Sequence, residues 1–390
     1  MAPLIVYITG FRQHAGKTMT SIGLISQLRK HFDPQDLGYM KPVGQEMVQA
    51  KDGSFYDKDA AVLERFSQIP DFDPEAISPV RLTSGFTKDY MERGAPVSVQ
   101  KEMAGKILGA VQHLSRKKVI IAEGTGHPGV GGILNLSNAE VSNLLGAQTL
   151  FLSGGGIGKA LDQLEVDLSY FIYKKSNVRG VIVNKIIPSK LEQTRKYVNE
   201  EFLAERYSEF PLPLKIFGYF PSIGDLDKPS MRTIREKFKG SEILGDRTDS
   251  LWIRPMNKVK ILSLPEEYLN LENYFQPGDI VILGAGSKNR LKKIIDYHNS
   301  VKPNEGLGGV ILTCGSVTDL LERSRSQLEN SKLPALYVQE DTAASEAILR
   351  DCIENTKIQT FDDHKIREIE ELFDKHFDYE RFAQVLGLKK

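Results

Sequence analysis

The stretch Thr9-Gly10-Phe11-Arg12-Gln13-His14-Ala15-Gly16-Lys17-Thr18 ends a glycine-opened loop on glycine, lysine and a hydroxyl. A loop that cradles phosphate reads glycine, four residues, then Gly-Lys-Ser or Gly-Lys-Thr. Five residues separate Gly10 from Gly16, a one-residue variant of that spacing. In such a loop the backbone N–H groups point inward at phosphate oxygens. The lysine reaches the β- and γ-phosphates and the hydroxyl is offered to Mg²⁺. Lys17 and Thr18 fill those two roles here. Gly16, lacking a Cβ, lets the backbone approach the ligand. Gly10, His14, Ala15 and Met19 complete the expected contacts with ATP. His14 either touches phosphate or faces solvent. The competing account is a strand-to-helix turn carrying a surface lysine. The buried strand before the loop and the apolar periodic stretch after it favour the phosphate cradle.

Other candidates lie at further strand ends. Glu123 opens Glu123-Gly124-Thr125-Gly126, where a carboxylate would hold Mg²⁺ directly or through water, unless it is an ordinary turn glutamate. Asp57 and Asp59 precede the helical stretch AAVLERF. Asp57 and Asp59 are either helix caps, which any aspartate there can be, or metal-binding carboxylates. Asn184-Lys185 either reads a nucleotide base or starts a polar loop. The seven histidines show no HExxH-type spacing, and no Gly-x-Ser-x-Gly elbow occurs.

The elements that must position these residues alternate. Leu4–Thr9, Asp36–Met40, Lys118–Ala122, Gln148–Ser153, Val178–Asn184 and Leu214–Phe220 read as strands. Helices are expected over MTSIGLISQLRKH, Asp162–Tyr173 and Lys190–Glu205. This pattern predicts an α/β fold, a mainly parallel P-loop-type sheet covered by helices, with ligands at the C-terminal strand edge. A polar, glycine-containing stretch between Lys239 and Lys258 marks a boundary. The alternation then restarts with strands at Val259–Leu262, Asp279–Leu283, Gly309–Leu312 and Ala335–Val338. Helices are expected at Arg290–His298, Asp319–Asn330 and Ala344–Cys352, and in the tail at His364–Phe377 and Tyr379–Leu388. Two domains follow, 1–240 and 250–390, the second a smaller α/β unit.

Composition bounds the rest. A chain of 390 residues exceeds what one hydrophobic core usually serves. Fifty-one basic and 51 acidic residues cancel, so no global excess points to nucleic acid. Two cysteines cannot build a disulfide framework, and Cys314 and Cys352 are expected to stay unpaired. No basic n-region with a long apolar run opens the chain, and no stretch of about 18 apolar residues is present. A cytoplasmic protein without a membrane partner is expected.

Together these residues resemble the dethiobiotin synthetase family, whose loop also has five residues between glycines. Its Gly-Lys-Thr matches Gly16, Lys17 and Thr18; its Lys-Pro-Val matches Lys41, Pro42 and Val43; its Glu-Gly-x-Gly matches Glu123, Gly124 and Gly126. The resemblance spans about residues 1–235. It implies that Lys41 contacts substrate and phosphate, that Asp59 binds metal, that Asn184 reads the base, and that the chain forms a homodimer. The closer resemblance is to the amino-terminal part of long bacterial phosphotransacetylases. There a dethiobiotin-synthetase-like domain precedes a small domain named for Asp-Arg-Thr-Gly-Gly, which residues 245–390 resemble. The marks of that small domain are GVILTCG at Gly309–Gly315, Asp341-Thr342 and Lys365-Ile366. The naming motif stands degraded as Asp246-Arg247-Thr248-Asp249-Ser250. Acetyl transfer is not expected, because the catalytic domain of those enzymes has no counterpart in residues 1–390.

Two functions are implied. One is a Mg²⁺-dependent ATP-binding regulator or slow ATPase, in which the second domain modulates the first. The other is an ATP-dependent ligase that activates a small-molecule carboxylate or carbamate through a phosphoric anhydride, with an amine-bearing substrate. In the ligase Lys17 and Lys41 would be catalytic, neutralising the transferred phosphoryl. A DNA-partitioning ATPase shares the fold class, but positions 11 and 12 are Phe and Arg where that class carries an early lysine.

Overall fold

The computed structural model describes every residue except 1, 50–52, 54, 71, 246–248, 263–270, 303, 315–324, 329–330 and 389–390. The chain divides into two compact units, one formed by 1–223 with 363–390 and the other by 224–362. This differs from a break at 240–250 in two respects. The second unit begins earlier, and the tail returns to the first.

The first unit is built on β1 (Leu4–Gly10), β2 (Leu37–Met40), β7 (Val119–Glu123), β8 (Gln148–Ser153), β9 (Val178–Ile186) and β10 (Lys215–Pro221). They form one parallel sheet in the order β10-β9-β8-β1-β7-β2. The strands are mostly apolar and buried because both faces are covered, as parallel sheets require. Between β2 and β7 lie short pairs that the sequence pattern does not signal. These are β3 (Val43–Gly44) with β6 (Val80–Arg81), and β4 (Met47–Gln49) with β5 (Phe55–Asp57). The register pairs Ile8 with Glu123 and Gly10 with Leu152. Glu123 is therefore the last residue of a central strand rather than part of a loop. One face of the sheet is filled by Tyr7, Met40, Ile120, Ala122, Ile107 and Val141.

The expected single helix over Lys190–Glu205 is two, Leu191–Tyr197 and Glu200–Arg206. Val198 and Asn199 leave helical geometry between them, and the Asn199 side chain caps the second helix on the Phe202 N–H at 2.9 Å. A short polar side chain at that point competes with the helical backbone, so the chain stops and restarts.

The tail helices, Asp363–His376 and Tyr379–Leu386, belong to the first unit. Phe373 packs edge-on to Phe220 at 4.7 Å, Phe382 to Phe217 at 5.4 Å, and Tyr379 stacks on His31 at 4.0 Å. Gly23, on the helix that follows the phosphate loop, makes room for this seat. A Cβ there would fall 2.1 Å from the Phe373 ring. Alanine is the better helix former by about 1 kcal/mol, but the fully buried ring cannot yield. Overpacking of this kind costs about 1–3 kcal/mol. Gly23→Ala is therefore expected to lower the urea midpoint, and a raised midpoint would show that the ring is loosely seated.

The second unit carries β11 (Glu242–Gly245), β12 (Val259–Ile261), β13 (Ile280–Gly284), β14 (Gly309–Thr313) and β15 (Pro334–Tyr337). Their order is β11-β15-β14-β13-β12, with β11 antiparallel and the others parallel. The polar stretch expected to link two domains thus contains an edge strand of this sheet. Its apolar run is only Ile243-Leu244, too short to stand out. Asp341 caps the helix Thr342–Glu354 on the Ala344 N–H at 2.8 Å. Cys314 and Cys352 are not joined by a disulfide. Residues 246–248 of the degraded motif, Gly315 and most of the helix expected at 319–330 lie outside the described residues.

Candidate functional site

The C-terminal edge of the first sheet gathers the candidates. β1 ends at Gly10, the loop turns at Gly16, and the helix Lys17–Arg29 begins. Gly16 has φ +98, a conformation side chains rarely adopt, and a Cβ there would sit 2.4 Å from the Asn184 amide. Glycine is needed for both reasons. Asn184, buried near the end of β9, donates from Nδ2 to the Ala15 carbonyl at 2.8 Å and accepts the Lys185 N–H at 2.8 Å. Here the asparagine braces the phosphate loop from behind. Ala15 is fully buried, Met19 packs beside Gly16, and His14 is half-buried at the loop crest.

Lys17 is folded into its own loop. Its Nζ donates to the carbonyls of Arg12 at 2.9 Å, Gln13 at 3.2 Å and Gly126 at 2.9 Å, and the residue is only 4% exposed. Backbone carbonyls are neutral acceptors. A phosphate would add charge–charge attraction to bonds whose donor is already ionised.

Glu123 is the hub beneath the loop. Its Oε1 accepts from the Thr18 hydroxyl at 3.0 Å and Lys41 Nζ at 2.8 Å. Its Oε2 accepts from the Ser21 hydroxyl at 2.7 Å and the Tyr39 hydroxyl at 3.1 Å. Lys41 also holds Asp59 at 2.5 Å, so one buried ammonium bridges two carboxylates. Burial alone would lower the Lys41 pKa, but Asp59, Glu123 and Asp57 carry it well above the ordinary lysine value. Lys41 is thus a fixed positive charge. The Tyr39 hydroxyl is pushed well up by burial and then by Glu123, so it remains a donor.

Asp57 and Asp59 separate in role. Asp57 caps the helix Lys58–Phe66 on the Asp59 N–H at 2.9 Å, and its other oxygen accepts from the Gln45 and Glu46 N–H groups at 3.0 and 3.3 Å. Burial pushes its pKa up to about 6, against the pull of Lys41. Asp59 points at Lys41 instead, with partial exposure. Thr18, Glu123, Lys41 and Asp59 are therefore one contiguous network.

Sequence reasoning missed Ser21, Tyr39 and Asn138 as working members of the site. Ser21 lies three residues after Thr18 on the same helix face, a signal available in the spacing. Asn138 shapes the Glu123-Gly124-Thr125 exit. Its Oδ1 accepts from the Tyr7 hydroxyl at 2.9 Å and the Thr125 N–H at 3.0 Å. Its Nδ2 donates to the carbonyls of Thr125 at 2.8 Å and His127 at 2.7 Å. A Cβ at Gly124 would lie 2.2 Å from that Oδ1. The capping box Ser137-x-x-Glu140, which starts the helix Asn138–Leu144, fixes where Asn138 stands.

The donor set suits Mg²⁺. That ion keeps several waters and takes one or two carboxylates with substrate phosphate oxygens, rather than an all-protein cage. Thr18, Glu123 and Asp59 would offer one hydroxyl and two carboxylates to such an ion, and among the described residues no group of three or more acidic, histidine or cysteine side chains is placed to hold a metal by itself. Among those residues, no helix is long and apolar enough to cross a membrane.

No curated protein matches the chain. Among solved structures, the signal recognition particle receptor FtsY of Elizabethkingia anophelis, in complex with GDP, is 13% identical, with TM-score 0.33. That match covers 57% of this chain and 58% of the receptor, so the chain spans little more than half of the receptor's length. The MinD cell division protein of Aquifex aeolicus is 11% identical, covering 57% of this chain and 84% of that one, with TM-score 0.34. A plasmid partition protein of Borrelia burgdorferi bound to AMPPNP is 12% identical, covering 58% and 90%, with TM-score 0.35. A family model described as an AAA domain matches residues 5–230, more than half the chain and the whole strand–loop–helix cradle just described. With a P-loop, a parallel sheet and Lys17 set at its edge, the chain belongs to that AAA domain family.

Proposed function

We propose that the chain is a Mg²⁺-dependent ATP-binding protein of the kind found in the amino-terminal part of long phosphotransacetylases, acting as a regulator or slow ATPase. The carrying observation is Lys17. Its ammonium is already inside the loop, held by three carbonyls that an anionic phosphate would replace. Bound Mg²⁺ would neutralise phosphate charge, with Thr18 and Asp59 or Glu123 as its protein ligands or water holders. Lys41 would set the position of both carboxylates.

The connectivity supports regulation. The second unit is inserted between β10 and the tail helices, and those helices pack on the helix that starts at Lys17. A change in the inserted unit that shifts the tail has a packed route to the phosphate loop. Ligase chemistry is the second reading, favoured by Lys41, a second buried ammonium tied to Glu123 beside the P-loop. Turnover separates them. Tight ATP binding with negligible hydrolysis supports the regulator; rapid ATP consumption stimulated by a small carboxylate or amine supports the ligase.

The metal part has its own test. Asp59 is the more accessible of the two carboxylates. Asp59→Asn is expected to raise the Mg²⁺ concentration needed for ATP binding roughly threefold or more, with metal-free ADP binding unchanged. A magnesium titration that overlays wild type removes Asp59 from the metal site.

A further inference from the structure

The helix Ile157–Tyr173 buries Ala160, Leu164, Leu168 and Phe171 against the sheet, the spacing of an apolar face. Asp167 sits on that same face and is only 6% exposed. Its one hydrogen-bond partner among the described residues is Gln163, whose Nε2 donates to Oδ2 at 3.1 Å. No lysine, arginine or histidine pairs with it there. A buried carboxylate with a single neutral donor is expensive, and such groups are ordinarily paired.

Asp167 lines a cavity of about 470 Å³, within the range of small-molecule sites. Arg12 and Gln13 of the phosphate loop form one wall, Gly126 and His127 another, and Gln163 stands beside Asp167. Three of these, Arg12, Gln13 and Gly126, are the residues whose carbonyls hold Lys17. The cavity therefore shares its walls with the phosphate cradle. The charged and titratable side chains facing it are Arg12, His127 and Asp167.

We propose that this cavity is a second ligand subsite, for the ammonium or guanidinium end of a small organic cation, with Asp167 as its counter-charge and Gln163 as the side chain that orients the carboxylate. It deepens the nucleotide reading by naming what is bound beyond the phosphate end, but its own recognition chemistry does not require nucleotide. A neutral or anionic ligand would leave Asp167 uncompensated. The apolar surroundings admit the alkyl portion of the ligand.

Burial pushes the Asp167 pKa up to about 6, against the Gln163 hydrogen bond. A carboxyl raised above its unfolded value destabilises the folded state when ionised. The penalty is full above about pH 6 and vanishes as pH falls through that value toward the ordinary aspartate range. Asp167→Asn should thus melt higher than wild type at pH 8, with the gain fading near pH 4.

The test uses the full chain at pH 8 without nucleotide. Butylammonium and butylguanidinium at about 20 mM should raise the wild-type melting temperature by about 2 °C, while butyrate and butanol should not. Asp167→Asn should lose that response, and Asp167→Ala repeats the test should the first variant fold poorly. An equal response to all four probes, no response, or an undiminished response in either variant overturns the subsite. ATP titration of wild type alongside keeps the outcomes separate. Failure to bind ATP counts against the nucleotide reading, whatever the cations do.

Discussion

Lys17→Ala is expected to weaken ATP·Mg²⁺ binding at least roughly tenfold, about 1.4 kcal/mol, in a protein that remains folded. In the free protein the ammonium makes three bonds to neutral carbonyls. Phosphate would replace them with bonds to an anion, adding charge–charge attraction that a neutral carbonyl does not supply, so the ligand gains more from Lys17 than the fold does. The backbone cradle survives the substitution, because Gly16 keeps its positive φ and Asn184 still braces Ala15. The loss should therefore fall on the phosphates. Calorimetric titration with ATP and with AMP separates the effects, since AMP has no β- or γ-phosphate to lose. Unchanged ATP affinity in a folded variant would end the assignment of this loop to nucleotide.

Lys41→Met should be the most damaging single change to stability. Lys41 is 3% exposed and bridges Glu123, which is fully buried, and Asp59. Breaking a buried pair by removing one partner costs about 3–5 kcal/mol, because the remaining charge stays buried and uncompensated. Glu123 would keep its bonds from Thr18, Ser21 and Tyr39, which places the loss at the lower end. Against a typical total of about 5–15 kcal/mol this is a large fraction. Adding Glu123→Gln removes the orphaned charge and should restore part of the loss. That coupling in a double-mutant cycle is the measurement. A single-mutant loss below about 1 kcal/mol, with no coupling, would show that Lys41 is not the electrostatic anchor of the site.

The local chemistry of the site was largely legible in the sequence. Gly10, Gly16, Lys17 and Thr18 fall within one nine-residue stretch, and a strand before a helix leaves the loop one way to lie. Their roles depend on short-range backbone geometry, which spacing records. Glu123 and Asp59 stand out as candidates because each adjoins a recognisable element boundary. The sequence also implied an α/β architecture, because runs such as Leu4–Thr9 and Val178–Asn184 are apolar enough to be buried on both faces.

Only tertiary structure showed that Lys41 joins Glu123 to Asp59, residues separated by long stretches of chain and brought together by the order of β1, β7 and β2. Only tertiary structure moved the tail from the second unit to the first. The tail's apolar faces are legible as helices, but Phe373 has no local mark of its seat over Gly23. A helical period says that a face will be buried and not against what, because hydrophobic burial is non-directional and its partner is chosen by global packing. Asp167 shows the same limit from the polar side. In sequence it is one aspartate on a mixed helix, and only the packed structure shows it buried with Gln163 as its hydrogen-bond partner among the described residues.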